Sequence, residues 1–176
     1  HNEPAVKALL PKLSIEMRYN EAGEQRMFLD GEDVSEAIRM PEISICASDV
    51  SSLPAVRSFL LEMQRKLARE HNVVMDGRDI GTVVLPDADL KIFLTASAEQ
   101  RAKRRMLELE AKGVDASFDE VLKDIEYRDE QDTKRAAAPL RAAEDAVHVD
   151  TSSLNFEESA AVLAGLVIDR LSPKQE

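Results

Sequence analysis

The chain has 176 residues, 44% of them hydrophobic, and 34 acidic against 23 basic side chains give a formal net charge of −11. That is enough for one compact domain with a small inserted lobe, while the acidic balance argues against a sequence-independent nucleic-acid surface or a binder of anionic membranes. A lone cysteine, Cys46, excludes a disulfide framework and a cysteine-rich metal site and fits a reducing compartment, no apolar run nears the roughly 20 residues of a bilayer span, and no charged-then-apolar leader opens the chain, so a cytoplasmic protein is expected.

In chain order, Leu13, Ile15, Met17 and Tyr19 alternate with Ser14, Glu16 and Arg18, the period of a half-buried strand. A turn at "EAGE" (21–24), a second strand at "RMFLD" (26–30) and a turn at Gly31 before "EDVS" complete a small antiparallel sheet, a candidate for a separate lobe. From Pro54 the period changes: Val56, Leu60, Met63 and Leu67 make one apolar stripe on a helix running to about His71. "VVM" (73–75) and "LKIFL" (90–94) are apolar runs without alternation, as expected of strands covered on both faces in a parallel sheet. Ser97 with Gln100 and Ser117 with Glu120 are capping-box pairs that open two further helices. Gly113 is placed to stop the first, and the approach of Pro139 limits the second. "AVHVD" (146–150) reads as another buried strand, and Thr151, Ser152 and Ser153 lead into a last amphipathic helix with Phe156, Leu163 and Val167. Strands alternating with helices favour an α/β layer arrangement.

Ligands of open α/β sheets bind beyond the carboxyl ends of the strands, where Asp76, Gly77, Arg78 and Asp79 directly follow "VVM". The knot reads equally as an ion-paired loop rim or as part of a site. Arg128, Asp132 and Arg135, four and three residues apart, share one helix face. A solvated salt bridge is the commoner reason for such spacing; the alternative is a clamp, with guanidinium forks on phosphate and the carboxylate accepting from ribose hydroxyls. Arg101, Lys103, Arg104 and Arg105 read either as a solvated basic face or as a cationic lid over transferring phosphates. His1, His71 and His148 make no metal constellation, and His148 is expected to be a satisfied side chain in a buried strand. Cys46 has no neighbouring histidine and reads as a small packed side chain.

Taken together, "DGRDIGTVVLPDADLKIFLTAS", "RAKRR", "YRDEQDTKRAAAPL" and "DAVHVDTSSL" closely resemble, in order and spacing, the bacterial cytidylate kinases, which transfer a phosphoryl group from ATP to CMP or dCMP. The resemblance extends upstream through "GEDVSEAIRMPEISICASDVSSLPAVR" and covers essentially the whole chain. It implies a three-layer parallel sheet of P-loop-kinase type with helices on both faces, and a small antiparallel lobe for the monophosphate. On that pattern residues 13–53 form the lobe, 54–96 and 117–176 the core and 97–116 the lid. It also implies that Ser48, Arg57 and Asp79 hold cytosine, that Arg78 meets the substrate phosphate, that Arg128, Asp132 and Arg135 clamp sugar and phosphate, and that Arg104 and Arg105 belong to the lid. The base-reading set is chemically sound, since cytosine presents an N4 donor with N3 and O2 acceptors and an acidic acceptor beside an arginine donor distinguishes it from uracil. The implied partners are CMP or dCMP and ATP with Mg²⁺, acting on a monomer, with no protein metal site, nucleic-acid polymer or membrane.

One departure from the family pattern is large. No G-x-x-x-x-G-K-[ST] sequence, whose backbone N–H groups and lysine cradle ATP phosphates, occurs in the 176 residues, nor does the aspartate-x-glycine-x-x-tyrosine-arginine segment that follows it in the family. The expectation is therefore a kinase truncated at its N-terminus, with strand edges exposed where a central strand is missing, negligible turnover and at most weak CMP binding by these residues alone. Three rivals stay open: a non-catalytic CMP-binding module; a related kinase with another monophosphate or a small alcohol as acceptor; and a scaffold making contacts through its acidic surface, which only the net charge favours.

Overall fold

The structure, a computed structural model, describes residues 3–40, 43, 46–47, 50–51, 53–111, 113–134 and 138–172. It divides into two compact units, residues 1–73 and 74–176.

The first unit opens with helix α1 (Glu3–Leu9), which packs against α2 (Pro54–Glu70). Between them lies a three-stranded antiparallel meander of β1 (Ile15–Tyr19), β2 (Gln25–Leu29) and β3 (Glu32–Asp33), in which Ile15 faces Leu29 and Met17 faces Met27. The alternation in the sequence produces this register, because a slip by one residue would turn every apolar side chain of β1 to the other face. Asn20 closes the first hairpin by accepting at Oδ1 from the backbone N–H groups of Ala22 (3.0 Å) and Glu24 (2.8 Å). The second turns on Asp30 and Gly31, at φ 52° and 87°, the pair of left-handed conformations that an Asp-Gly turn supplies at least cost. Ser35, 2% exposed, donates to Asp33 Oδ1 (2.6 Å) and accepts from the Met27 N–H (2.8 Å), so this buried hydroxyl is satisfied. These bonds, with the Arg26 guanidinium beside it, hold the Asp33 carboxyl down at about 2. Pro54 starts α2, where its missing N–H costs nothing.

The second unit carries one parallel pair, β4 (Ile92–Thr95) and β5 (Val147–Asp150), with Ile92 opposite Val147 and Thr95 opposite Asp150. Helices α3 (Ala98–Ala111) and α4 (Phe118–Lys134) lie between the strands in sequence and pack on each other, and α5 (Phe156–Leu171) follows β5. Val84, Ala102, Val121 and Val149 form its buried apolar core. Gly113, at φ 69°, ends α3 by donating to the Glu110 carbonyl (2.9 Å), while Val114 N–H reaches back to Leu109 (2.9 Å). Ser117 and Glu120 form the full reciprocal cap of α4. At α3 only half the expected box forms: the Gln100 N–H donates to Ser97 Oγ (3.3 Å), but the Ser97 N–H is taken by Ser152 Oγ (2.9 Å). Asn155, and not the Thr151–Ser153 cluster before it, caps α5 through a box with Glu158, a signal present in the sequence as N-x-x-E.

Several expectations are corrected. Residues 73–75 are not a strand, and Val74 is 99% exposed: no strand among the described residues pairs with this run, so its apolar character has no ladder to join. Nor is β4 covered on both faces, since Leu94 is 52% exposed beside a single neighbouring strand. His148 is exposed rather than buried and packs its ring 5.3 Å from that of Phe93. Cys46 is exposed, not packed.

Candidate active site

The loop that follows residues 73–75 and the last turns of α4 meet through one ion pair. Arg78 Nε donates to Asp132 Oδ2 at 2.9 Å across 54 residues of sequence. The guanidinium is more exposed (56%) than the carboxylate (25%), and among the described residues Arg78 makes no other hydrogen bond. An arginine held by Nε alone keeps the planar edge that grips a phosphate bidentately. Asp79 follows directly, half-buried, at the start of a π-helical turn (Ile80–Val84). Its carbonyl accepts from the N–H groups of Val83 (2.9 Å) and Val84 (3.2 Å), which fixes its backbone and so the root of its carboxylate. Irregular helical turns of this kind gather at functional sites.

Arg128 lies one turn before Asp132 on α4, exposed and without a partner among the described residues. The helical spacing therefore does place Arg128 and Asp132 on one face, but the carboxylate pairs with Arg78 from the distant loop. Arg135 and Ser48 lie outside the described residues. Arg57 stands half-buried in the first turn of α2, in the other unit.

The basic cluster on α3 divides by function. Arg101 donates from Nη1 (2.8 Å) and Nη2 (2.5 Å) to both oxygens of Asp129 on α4, and from Nε to the Ala96 carbonyl (3.0 Å) just past β4. The Asp129 carboxylate raises the Arg101 pKa above its already high ordinary value. Arg104 donates to Thr151 Oγ1 (3.3 Å) and to the carbonyls of Thr151 (2.6 Å) and Leu154 (3.1 Å), beyond the end of β5. Thr151, 3% exposed, donates a hydrogen bond from its own hydroxyl to the Thr95 carbonyl (3.0 Å). Arg105 only pairs with Glu108 on the same surface of α3 (2.9 Å). Arg101 and Arg104 thus close orphan carbonyls at the carboxyl ends of both strands, while Arg105 stays on an open helix face.

Asp129 was not singled out by sequence reasoning, although a signal existed. Phe118, Val121, Leu122, Ile125 and Asp129 continue one stripe at helical spacing, and a carboxylate ending an apolar stripe calls for a partner. Of the two cavities described, one (about 490 Å³) is lined by Arg18, Arg26 and Phe28 on the meander, and the other (about 400 Å³) by Lys91, Asp145 and Arg170. Neither includes an expected site residue.

A parallel strand pair joined through helices, with charged side chains collected past the strands' carboxyl ends, defines an α/β protein whose ligands are expected at that edge. The comparisons make this specific. The cytidylate kinase family model matches residues 1–167. The chain is 52% identical over 158 residues to the cytidylate kinase of Caldicellulosiruptor bescii, covering 90% of this chain and 70% of that protein. It is 50% identical over 166 residues to that of Carboxydothermus hydrogenoformans (94% and 74%) and 45% identical over 166 residues to that of Lactobacillus gasseri (94% and 72%). The chain belongs to the cytidylate kinase family.

Proposed function

We propose that this protein is a cytidylate kinase, transferring the γ-phosphoryl group of ATP to CMP or dCMP. Family membership supports the reaction, and the observation that carries the acceptor site is the Arg78–Asp132 pair. It joins two residues, far apart in sequence, that the family resemblance assigns to phosphate and sugar. Before substrate arrives, Asp132 steers the Arg78 fork without occupying its outer edge. When the nucleotide binds, that edge takes α-phosphate oxygens, Arg128 adds a second cation, and the Asp132 carboxylate accepts from ribose hydroxyls. Asp79 takes the N4 amino group of cytosine, with Ser48 and Arg57 carrying the rest of the base-reading role.

Phosphoryl transfer asks little covalent chemistry of the protein; orientation and charge neutralisation supply most of the acceleration. Among the described residues no three metal-ligating side chains cluster. The Mg²⁺ of the proposal is the ion that travels with ATP, bound mainly by phosphate oxygens and water, and none of these residue roles depends on it. The 176 residues contain no phosphate-cradling glycine loop, so on their own they are expected to bind CMP weakly and to turn over negligibly. We further infer that β4, β5 and α3 to α5 belong to a three-layer P-loop-kinase core, that residues 13–53 are the monophosphate-binding lobe, and that the movable part of the 97–116 lid begins after Arg104. The first two turns of α3 are tied down by Arg101 and Arg104.

The test is a coupled assay of the full-length protein with ATP and CMP, UMP or AMP. CMP must be preferred clearly. Equal turnover of UMP would refute the base-reading set, and tight CMP binding without any ATP-dependent product would favour a non-catalytic module.

A further inference from the structure

The Arg101–Asp129 pair does more than staple two helices. At about 100° per residue, Asp129 stands roughly 60° around α4 from Asp132 and about 100° from Arg128. It faces α3, while Asp132 faces the loop that bears Arg78 and Arg128, four residues away, lies about 40° around the helix from Asp132. The roll of α4 about its own axis is thus set by a fork-to-fork contact, two N–H to O bonds of 2.8 and 2.5 Å, whose geometry tolerates little rotation. The other side of the same guanidinium is fixed by the Ala96 carbonyl at the end of β4. The neighbouring Arg104 secures the end of β5 in the same way. The chain of contacts therefore runs from the strand ends through Arg101 to Asp129 and on to the clamp face of α4.

We propose that Asp129, through Arg101, is a positioning residue for the acceptor clamp: it sets the rotational position of α4, so that Arg128 and Asp132 address the nucleotide. It touches neither substrate nor reacting atoms. The inference rests on the reading of Arg128 and Asp132 as acceptor-binding residues given above.

The full-length protein and its Asp129→Asn, Arg101→Lys, Arg101→Gln and Arg101→Gln/Asp129→Asn variants are compared for KM of CMP, KM of ATP, kcat and thermal stability. Asp129→Asn keeps one acceptor oxygen but loses the charged fork. Its KM for CMP is expected to rise roughly tenfold, about 1.4 kcal/mol of binding free energy, with KM for ATP within twofold and kcat within threefold. The double variant is expected to be no worse than the poorer single variant, because both remove one interaction. Arg101→Lys, which keeps the charge but not the fork, should fall between wild type and Asp129→Asn. A variant that melts earlier yet keeps its wild-type KM for CMP would overturn the proposal, since a purely structural tie predicts that result. So would equal losses in both substrates. Should Asp129→Asn fail to fold, Arg101→Lys decides by the same criteria. If wild type phosphorylates CMP and the variants share its KM, only this inference falls; if wild type does not use CMP, the acceptor assignment falls and takes this one with it.

Discussion

Replacing Arg78 by alanine separates a binding role from a structural one. The Arg78–Asp132 pair is half open to solvent on the arginine side, and exposed pairs of this kind contribute about 0.2–1 kcal/mol to stability. Its loss should therefore barely move a urea midpoint, and the Asp132 carboxylate, left behind, remains accessible enough to be hydrated. Binding is another matter. A phosphate losing a charge-assisted hydrogen bond forfeits about 1.5–3 kcal/mol, which at 1.4 kcal/mol per factor of ten corresponds to a roughly 10- to 150-fold rise in the KM or Kd for CMP. The assay is steady-state kinetics with CMP and ATP on the full-length protein, with calorimetric CMP binding and urea unfolding on the same preparations. The free protein has Arg78 oriented by Asp132, so Asp132→Ala should also weaken CMP binding, and the two substitutions together should cost less than their sum. A KM for CMP within twofold of wild type in Arg78→Ala would refute the reasoning. A stability loss beyond about 2 kcal/mol would do the same, because it would make Arg78 a structural residue.

Three other outcomes follow from the geometry. Asp33 is held at about 2 against an ordinary 3.8, chiefly by the Ser35 hydroxyl and N–H; with the folded pKa depressed, its contribution to stability is present in full above about pH 4 and lost as pH falls toward 2. Amide exchange in β2 and β3 should register that loss in wild type, whereas Asp33→Asn should lack this pH-dependent component altogether; an identical acid profile in the variant would exclude the assignment. Arg104→Met should cost about 1–3 kcal/mol in urea unfolding, because the carbonyls of Thr151 and Leu154 lose their donors; an unchanged midpoint would mean that water replaces the guanidinium freely. Ala102 has 0% exposure between α3 and its neighbours, so Ala102→Leu should destabilise by about 1–3 kcal/mol through overpacking, and a neutral result would reveal slack in that core.

Periodicity and turn chemistry, which are local, are enough to place β1, β2, α2, α3, α4 and β5 within a residue or two and to announce α5. Helical stripes, an Asp-Gly turn and serine caps act within a few residues of themselves. The motifs that led to the family are also local strings, and the comparisons bear the family out. What local patterns could not decide was partnership. An apolar run such as residues 73–75 becomes a strand only when a neighbouring strand accepts its hydrogen bonds, and Val74 stands exposed instead. The R-x-x-x-D-x-x-R spacing sets Asp132 among its helix neighbours but gives no sign of the pair it makes with Arg78, 54 residues away. Likewise the arginines of α3 looked alike in sequence, and only packing divided them between the Asp129 carboxylate, the carbonyls beyond β5 and open solvent. Charge pairs are chosen by distance and burial in three dimensions, to which a linear spacing gives no access.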